Sequence, residues 1–252
     1  SPAHLCAIVG LAALVVGVVG CKEMPLMFVR CINWILVRTL YSLKVHGSEN
    51  IPETGGALII CNHVAFVDPP LVVAATSRPV RFLVYRPIYE SKLVNPIARL
   101  MNAIPIASED NRRELVKSLN EAREALKNGE IVCVFAEGSL SRIGHLLRFE
   151  RGFELIMKGV DAPIIPAYID QIWGSIFSFR GGKFFWKMPR ELPYPVSLTF
   201  GSPLPASTGA NDVRQKIQEL SADVAIDRKE RYPLLHTSLL HTLKNAPFAV
   251  AA

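Results

Sequence analysis

His63 and Asp68 are the residues of this 252-residue chain best placed to move a proton. They lie five positions apart in Ile59-Ile60-Cys61-Asn62-His63-Val64-Ala65-Phe66-Val67-Asp68. An imidazole can take a proton from a hydroxyl near neutral pH, and a carboxylate accepting from its other ring N–H holds the tautomer and stabilises the imidazolium. In one regular helix the two side chains would point roughly 140° apart, so they can meet only across a loop. Their surroundings supply that loop. Ala57 to Cys61 is an uninterrupted apolar run after the Gly55-Gly56 turn and reads as a strand. Pro69 and Pro70 are tolerated together only in the first turn of a helix, which makes Asp68 its expected N-cap. With six histidines in the chain, the spacing by itself fits a satisfied turn as well as a catalytic dyad.

Two later stretches bear on that choice. Ile131 to Phe135 is a second apolar strand, and Ala136-Glu137-Gly138-Ser139-Leu140-Ser141-Arg142 brings a carboxylate, a glycine, two hydroxyls and a guanidinium to its end. Ala162-Pro163-Ile164-Ile165-Pro166-Ala167-Tyr168 follows. Together with Asn62-His63-x4-Asp68, these resemble the ordered blocks of the PlsC-like glycerolipid acyltransferase family: Asn-His-x4-Asp, Phe-Pro-Glu-Gly-Thr-Arg-Ser and a Pro-Ile-x-Pro strand. The resemblance runs from about Val45 to about Pro205. It departs from the pattern at Ala136 (Pro in the family), Ser139 (Thr) and Leu140 (Arg), which leaves Arg142 to supply the cation.

The resemblance implies an α/β fold with a mixed sheet flanked by helices. It implies His63 and Asp68 as the catalytic pair, and Asn62, Glu137, Gly138, Ser139 and Arg142 as contacts to a lysophospholipid. Arg86, after the strand Val80–Tyr85, is a further candidate for a phosphate or acyl donor, with a solvated basic edge as the competing reading. No Gly-x-Ser-x-Gly elbow occurs, so direct transfer without an acyl-enzyme is expected. No zinc spacing, phosphate-cradling glycine loop or dinucleotide fingerprint appears, and no cofactor is expected beyond the acyl-ACP or acyl-CoA co-substrate.

The elements that must position these residues follow. Leu5 to Gly20 is apolar throughout and just under the roughly 20 residues of a spanning helix; a buried helix or hairpin is the alternative. Met24 to Lys44 reads as a second helix, with Arg30, Asn33, Tyr41 and Lys44 along one stripe, suited to a membrane interface or to plain packing. Lys22, Arg30, Arg38 and Lys44 after the apolar run lead to the expectation that the catalytic part is on the cytoplasmic side, and the resemblance implies that the membrane is a bacterial inner membrane. The expected division is therefore 1–44 membrane-associated helices, 45–232 catalytic domain and 233–252 tail or linker. A spanning segment next to an acyltransferase resembles the junction in fused bacterial proteins that join a lysophospholipid transporter, an acyltransferase and an acyl-ACP ligase. From that likeness, 2-acylglycerophosphoethanolamine is the expected acceptor, with 1-acylglycerol 3-phosphate as the alternative.

Further along, helices are expected over Pro70–Ala75, Leu115–Leu126 and Val213–Val224, the last begun by Asn211 or Asp212, and strands at Ala103–Ile106 and Val196–Phe200. Trp173 to Arg190 mixes aromatic and basic residues around Gly181-Gly182; ordinary hairpin packing and a second membrane contact are both open, while nucleic acid is not an expected partner. Half of the residues are apolar and mean hydropathy is +0.27, in keeping with membrane attachment. The net charge of +6 suits an acidic carrier protein or an anionic lipid equally. Five cysteines without a CxxC pair read as reduced packing residues. Outside the acyltransferase class, a lipid hydrolase or a non-catalytic lipid-binding module would also account for a membrane-bound His-Asp pair.

Overall fold

The computed structural model describes residues 24–107, 111–182 and 192–231, with His4, Cys6, Val9, Gly10 and Gly17 as isolated positions. The Leu5–Gly20 run is otherwise outside the described residues, as are Ser108–Asp110, Lys183–Glu191 and the tail from 232. No helix of the described residues is long and apolar enough to cross a membrane.

The sheet is built on β2 (Ala57–Cys61), every residue of which is buried. Its side chains divide between two cores: Ala57, Ile59 and Cys61 face one, Leu58 and Ile60 the other. A strand covered on both faces reads as a continuous apolar run, which is why it was visible in the sequence. Around it stand β5 (Ile131–Val134), β3 (Val80–Tyr85) and β4 (Ile104–Ile106) on one side, and β6 (Ile164–Asp170), β7 (Tyr194–Phe200) and β1 (Tyr41–His46) on the other. The order is β1-β7-β6-β2-β5-β3-β4. All neighbours are parallel except β6 and β7, so the sheet is mixed as expected.

Helices α1 (Pro25–Leu40) and α2 (Asp68–Ala75) cover the first face, burying Val37, Leu71, Val72 and Val73. The second face lies under α5 (Arg112–Lys127), α6 (Gly152–Met157) and α7 (Ala210–Arg231) through Leu119, Ala122, Phe153, Ile156, Val213 and Ile217. Two short helices, α3 (Arg86–Tyr89) and α4 (Asn95–Leu100), stand between β3 and β4. The Asn111 side chain caps α5 by accepting from Glu114 N at 3.0 Å, and Glu154 of α6 accepts from Ala210 N, holding the start of α7.

Three expectations are corrected. The helix predicted over Met24–Lys44 stops at Leu40, and Tyr41–His46 pairs in parallel with Tyr194–Thr199, so the sheet crosses position 44. On α1, Arg30 donates to the carbonyls of Thr76, Ser77 and Arg78, and Asn33 to Pro70 O, so this side packs on α2. Asp68 is not the N-cap of α2: Val67 holds that position and makes no side-chain cap. The Asp68 carboxylate instead turns back to the loop before it. Cys61 and Cys133 are buried and free as expected, but Cys6 and Cys31 are exposed; Cys21 lies outside the described residues.

Candidate active site

Because β2 is parallel to its neighbours, the loop after Cys61 leaves the sheet at its carboxyl end, where open α/β sheets receive ligands. In this loop His63 Nδ1 lies 2.9 Å from Asp68 Oδ2. The same oxygen accepts from Val64 N at 2.6 Å and Ala65 N at 2.9 Å, so one carboxylate oxygen folds the loop and orients the ring. Asp68 is 0 % exposed and the His63 side chain 18 % exposed. The pair therefore has a buried anion behind and a solvent-reaching imidazole in front, with Nε2 left for chemistry. Phe135, at the end of β5, stacks on the imidazole at 4.1 Å between centroids and 18° between planes. Phe82 of β3 stands behind Phe135 at 6.3 Å.

The Glu137 block meets this loop from the next strand. Glu137 Oε1 accepts from His63 N at 2.9 Å, and Oε2 accepts from Leu147 N at the same distance. Burial pushes the Glu137 carboxyl above its ordinary value, opposed by those two N–H donors. Ser141 N donates to His63 O at 2.8 Å, and Ser141 Oγ to His145 O. Gly138 turns the chain after Glu137 with φ +67°, a left-handed conformation that favours glycine. Residues 138 to 150 then wrap back to the strand, where Glu150 N donates to Ala136 O at 2.7 Å.

The structure thus joins His63, Asp68 and Glu137 through hydrogen bonds, while Asn62 has a separate part. Asn62 is buried and exchanges two bonds with the backbone of Ile169, fastening the end of β2 to β6. Those bonds occupy its amide, which makes it a staple of the loop. Ser139 is exposed. Arg142 is exposed too, with its guanidinium 5.3 Å over the Phe179 ring. Arg86, half-buried, begins α3 past the end of β3, across β5 from the dyad strand. The aromatic stretch after β6 turns inward in its described part: Trp173 and Phe177 pack on the core, and Phe177 O accepts from Phe66 N. Lys183 to Arg190 lie outside the described residues.

Sequence reasoning missed Phe135, Ser141 and Leu147 as supports of the imidazole. Only the first carried a signal, as an aromatic ending a buried strand one place before the block. A recess of about 180 Å³ lined by Asn62, Val64, Gly144, Tyr168, Asp170 and Trp173 adjoins the loop. Another, of about 170 Å³, lies at the opposite ends of β3 and β5. Its arginines Arg30, Arg78 and Arg81 donate to carbonyls and carboxylates of the fold, which marks it as structural.

The family model described as Acyltransferase matches residues 42–170, which include every candidate site residue. A 1-acyl-sn-glycerol-3-phosphate acyltransferase of Bacillus subtilis is 27 % identical over 142 residues, 56 % of this chain and 69 % of that protein. A probable 1-acyl-sn-glycerol-3-phosphate acyltransferase of Mycoplasma pneumoniae is 24 % identical, covering 62 % and 59 %. One from Cocos nucifera is 27 % identical, covering 69 % and 53 %, so the chain spans little more than half of these last two relatives. The crystal structure of the 1-acyl-sn-glycerophosphate acyltransferase PlsC from Thermotoga maritima shares the fold, with a TM-score of 0.62 at 23 % identity over 82 % of this chain and 83 % of that one.

Proposed function

The chain belongs to the Acyltransferase family, and from that membership we propose that it moves a fatty acyl group from a thioester to the free hydroxyl of a lysophospholipid. The observation that carries this reading is the 2.9 Å contact from His63 Nδ1 to the buried Asp68. With Nδ1–H held by the carboxylate, Nε2 accepts the hydroxyl proton as the alkoxide oxygen attacks the thioester carbon. The tetrahedral intermediate collapses by breaking the C–S bond, and the imidazolium returns the proton to the departing sulfur. Ester and free thiol are the products, and the enzyme is unchanged. Such general base catalysis contributes typically 10²- to 10⁴-fold. Ser141 is buried and spends its hydroxyl on His145 O, which argues against Ser141 as the nucleophile of an acyl-enzyme.

For the acceptor, the relatives' names support 1-acylglycerol 3-phosphate over the 2-acylglycerophosphoethanolamine expected from the sequence. Ser139 and Arg142, exposed on the loop of residues 138 to 150, are the groups assigned to the acceptor's glycerol phosphate. Arg86 is retained as a contact for a phosphate of the donor or acceptor. The donor is an acyl-ACP or acyl-CoA thioester. The exposed side of α1, with Met27, Trp34, Ile35 and Leu36 and the Arg38 guanidinium 5.5 Å over Trp34, suits a membrane interface. On this reading the enzyme works at the cytoplasmic face of a bacterial inner membrane, the side favoured by the basic residues that follow the apolar N-terminal run.

The test is transfer from acyl-ACP and acyl-CoA in turn to both acceptors, by the protein and by His63→Ala. The expected result is phosphatidic acid formation by the protein and a loss of 10²-fold or more in kcat for the variant with its fold retained. Release of free fatty acid without an acceptor would point to a hydrolase, and unchanged transfer by His63→Ala would overturn the dyad.

A further inference from the structure

The segment between β3 and β4 presents apolar side chains outward. Leu93 is 86 % exposed, and Tyr85, Ile88 and Ile97 are exposed with it. This is an ordered structure rather than a frayed loop: Glu90 N donates to Arg86 O, Asn95 N to Ser91 O, and Asn95 Nδ2 to Tyr89 O. The segment is seated on the fold through Ala98, which is buried and whose carbonyl accepts from Ala103 N. Its exposed apolar groups thus sit on a scaffold that holds them out, and a patch of this kind marks a contact with lipid or protein.

Charge and position favour lipid. Between residues 85 and 100 the bases are Arg86, Lys92 and Arg99, and Glu90 is the sole acid. An exposed Leu beside a Lys, with two arginines in the same short segment, is a combination that enters an anionic headgroup layer, the apolar chain among acyl tails and the cations among phosphates. At one end the segment packs against α1, whose outer side is also apolar. At the other it begins with Tyr85, the last residue of β3, the strand whose Phe82 stacks on Phe135 and Phe135 on His63. The segment therefore adjoins α1, and it leaves the sheet at the carboxyl end of its parallel strands, the end that also carries the His63 loop.

We propose that residues 85–100 form a second lipid-contacting platform, with Leu93 inserted into the surface of an anionic phospholipid bilayer so that His63 faces lipid without an intervening aqueous gap. This rests on the acyltransfer reading for its purpose, though not for its measurement. The test uses the full chain and vesicles of phosphatidylcholine with phosphatidylglycerol, comparing the protein with Leu93→Asp and Leu93→Met by co-sedimentation. Withdrawing one leucine from the interface and adding an anion is expected to weaken vesicle binding about tenfold or more, while Leu93→Met binds as the parent does. Transfer to a vesicle-borne acceptor should fall by a similar factor in Leu93→Asp, with kcat on a water-soluble short-chain acceptor unchanged. Equal vesicle binding by Leu93→Asp and the parent overturns the platform. So does an equal loss on soluble and vesicle-borne acceptors, which would place Leu93 in the catalytic machinery or the fold. Because sedimentation needs no turnover, Leu93-dependent binding by a protein that transfers to no acceptor would sink the acyltransfer reading and support the platform.

Discussion

Asp68 Oδ2 accepts from three N–H groups, of which only one belongs to the imidazole. His63 and Asp68 should therefore separate in mutagenesis although they act together in catalysis. Asp68→Ala leaves the buried donors of Val64 and Ala65 without an acceptor and frees the ring, at a cost of about 3 kcal/mol by the usual penalty per orphaned group. At this chain length that is roughly 6–12 °C in Tm, and activity falls as well; His63→Ala should lose activity while its melting temperature stays close to the parent's. Glu137 supplies a pH-dependent counterpart. Its carboxyl is raised in the folded state by burial, so between its unfolded and folded values the folded chain binds more protons than the unfolded one, and stability falls as pH rises through that window. Melting scans across the acid range should show the Tm of the parent, measured against Glu137→Gln, declining as pH increases above the ordinary carboxylate value. A rising difference would contradict the burial-driven direction.

The loop of residues 138 to 150 is the element that encloses the dyad from the β5 side, and it is packed against the chain after β6. At Gly144, φ is +75° and a Cβ would stand 2.5 Å from the Trp173 ring, closer than any side chain could remain. Gly144→Ala should push this loop off the ring and cost on the order of 1–3 kcal/mol, with kcat reduced because Ser141 and Leu147 lose their registration on His63 O and Glu137. Thermal melting and steady-state kinetics on one preparation would check both effects. Elements of this kind differ in how far the sequence discloses them. The strands β2, β3 and β5 and the helix α5 were legible because each is a local pattern, an apolar run between turns or a 3.6-residue repeat. Tyr41–Lys44 was read as the end of a helix because Arg30, Asn33, Tyr41 and Lys44 also fall at helical spacing. Its own alternation, Tyr41, Leu43 and Val45 against Ser42, Lys44 and His46, has a period of two, and what decides in its favour is β7, far along the chain. The same distance hid the tasks of Asn62 and Glu137. Their residue types pointed to the site, but their acceptors and donors at Ile169 and Leu147 belong to other elements.

At the scale of the whole molecule, a net charge of +6 joins exposed apolar surfaces on α1 and on the segment carrying Leu93. Long-range attraction should gather the protein at anionic vesicles and apolar contact should retain it there. Raising salt from 0.1 to 1 M shortens the screening length from about 10 to about 3 Å, so association rates with anionic vesicles should drop steeply while dissociation changes little, a contrast that stopped-flow measurements can resolve. The pairing of β1 with β7 has a different consequence, one that concerns how the protein is made. Tyr41 is made long before its neighbour Tyr194 exists, and at ordinary elongation rates of 5–20 residues per second the wait is roughly 8–30 s. Throughout that interval the edge of β1 is without its final neighbour, long enough for the nascent amino-terminal part to reach a bilayer before the sheet is closed.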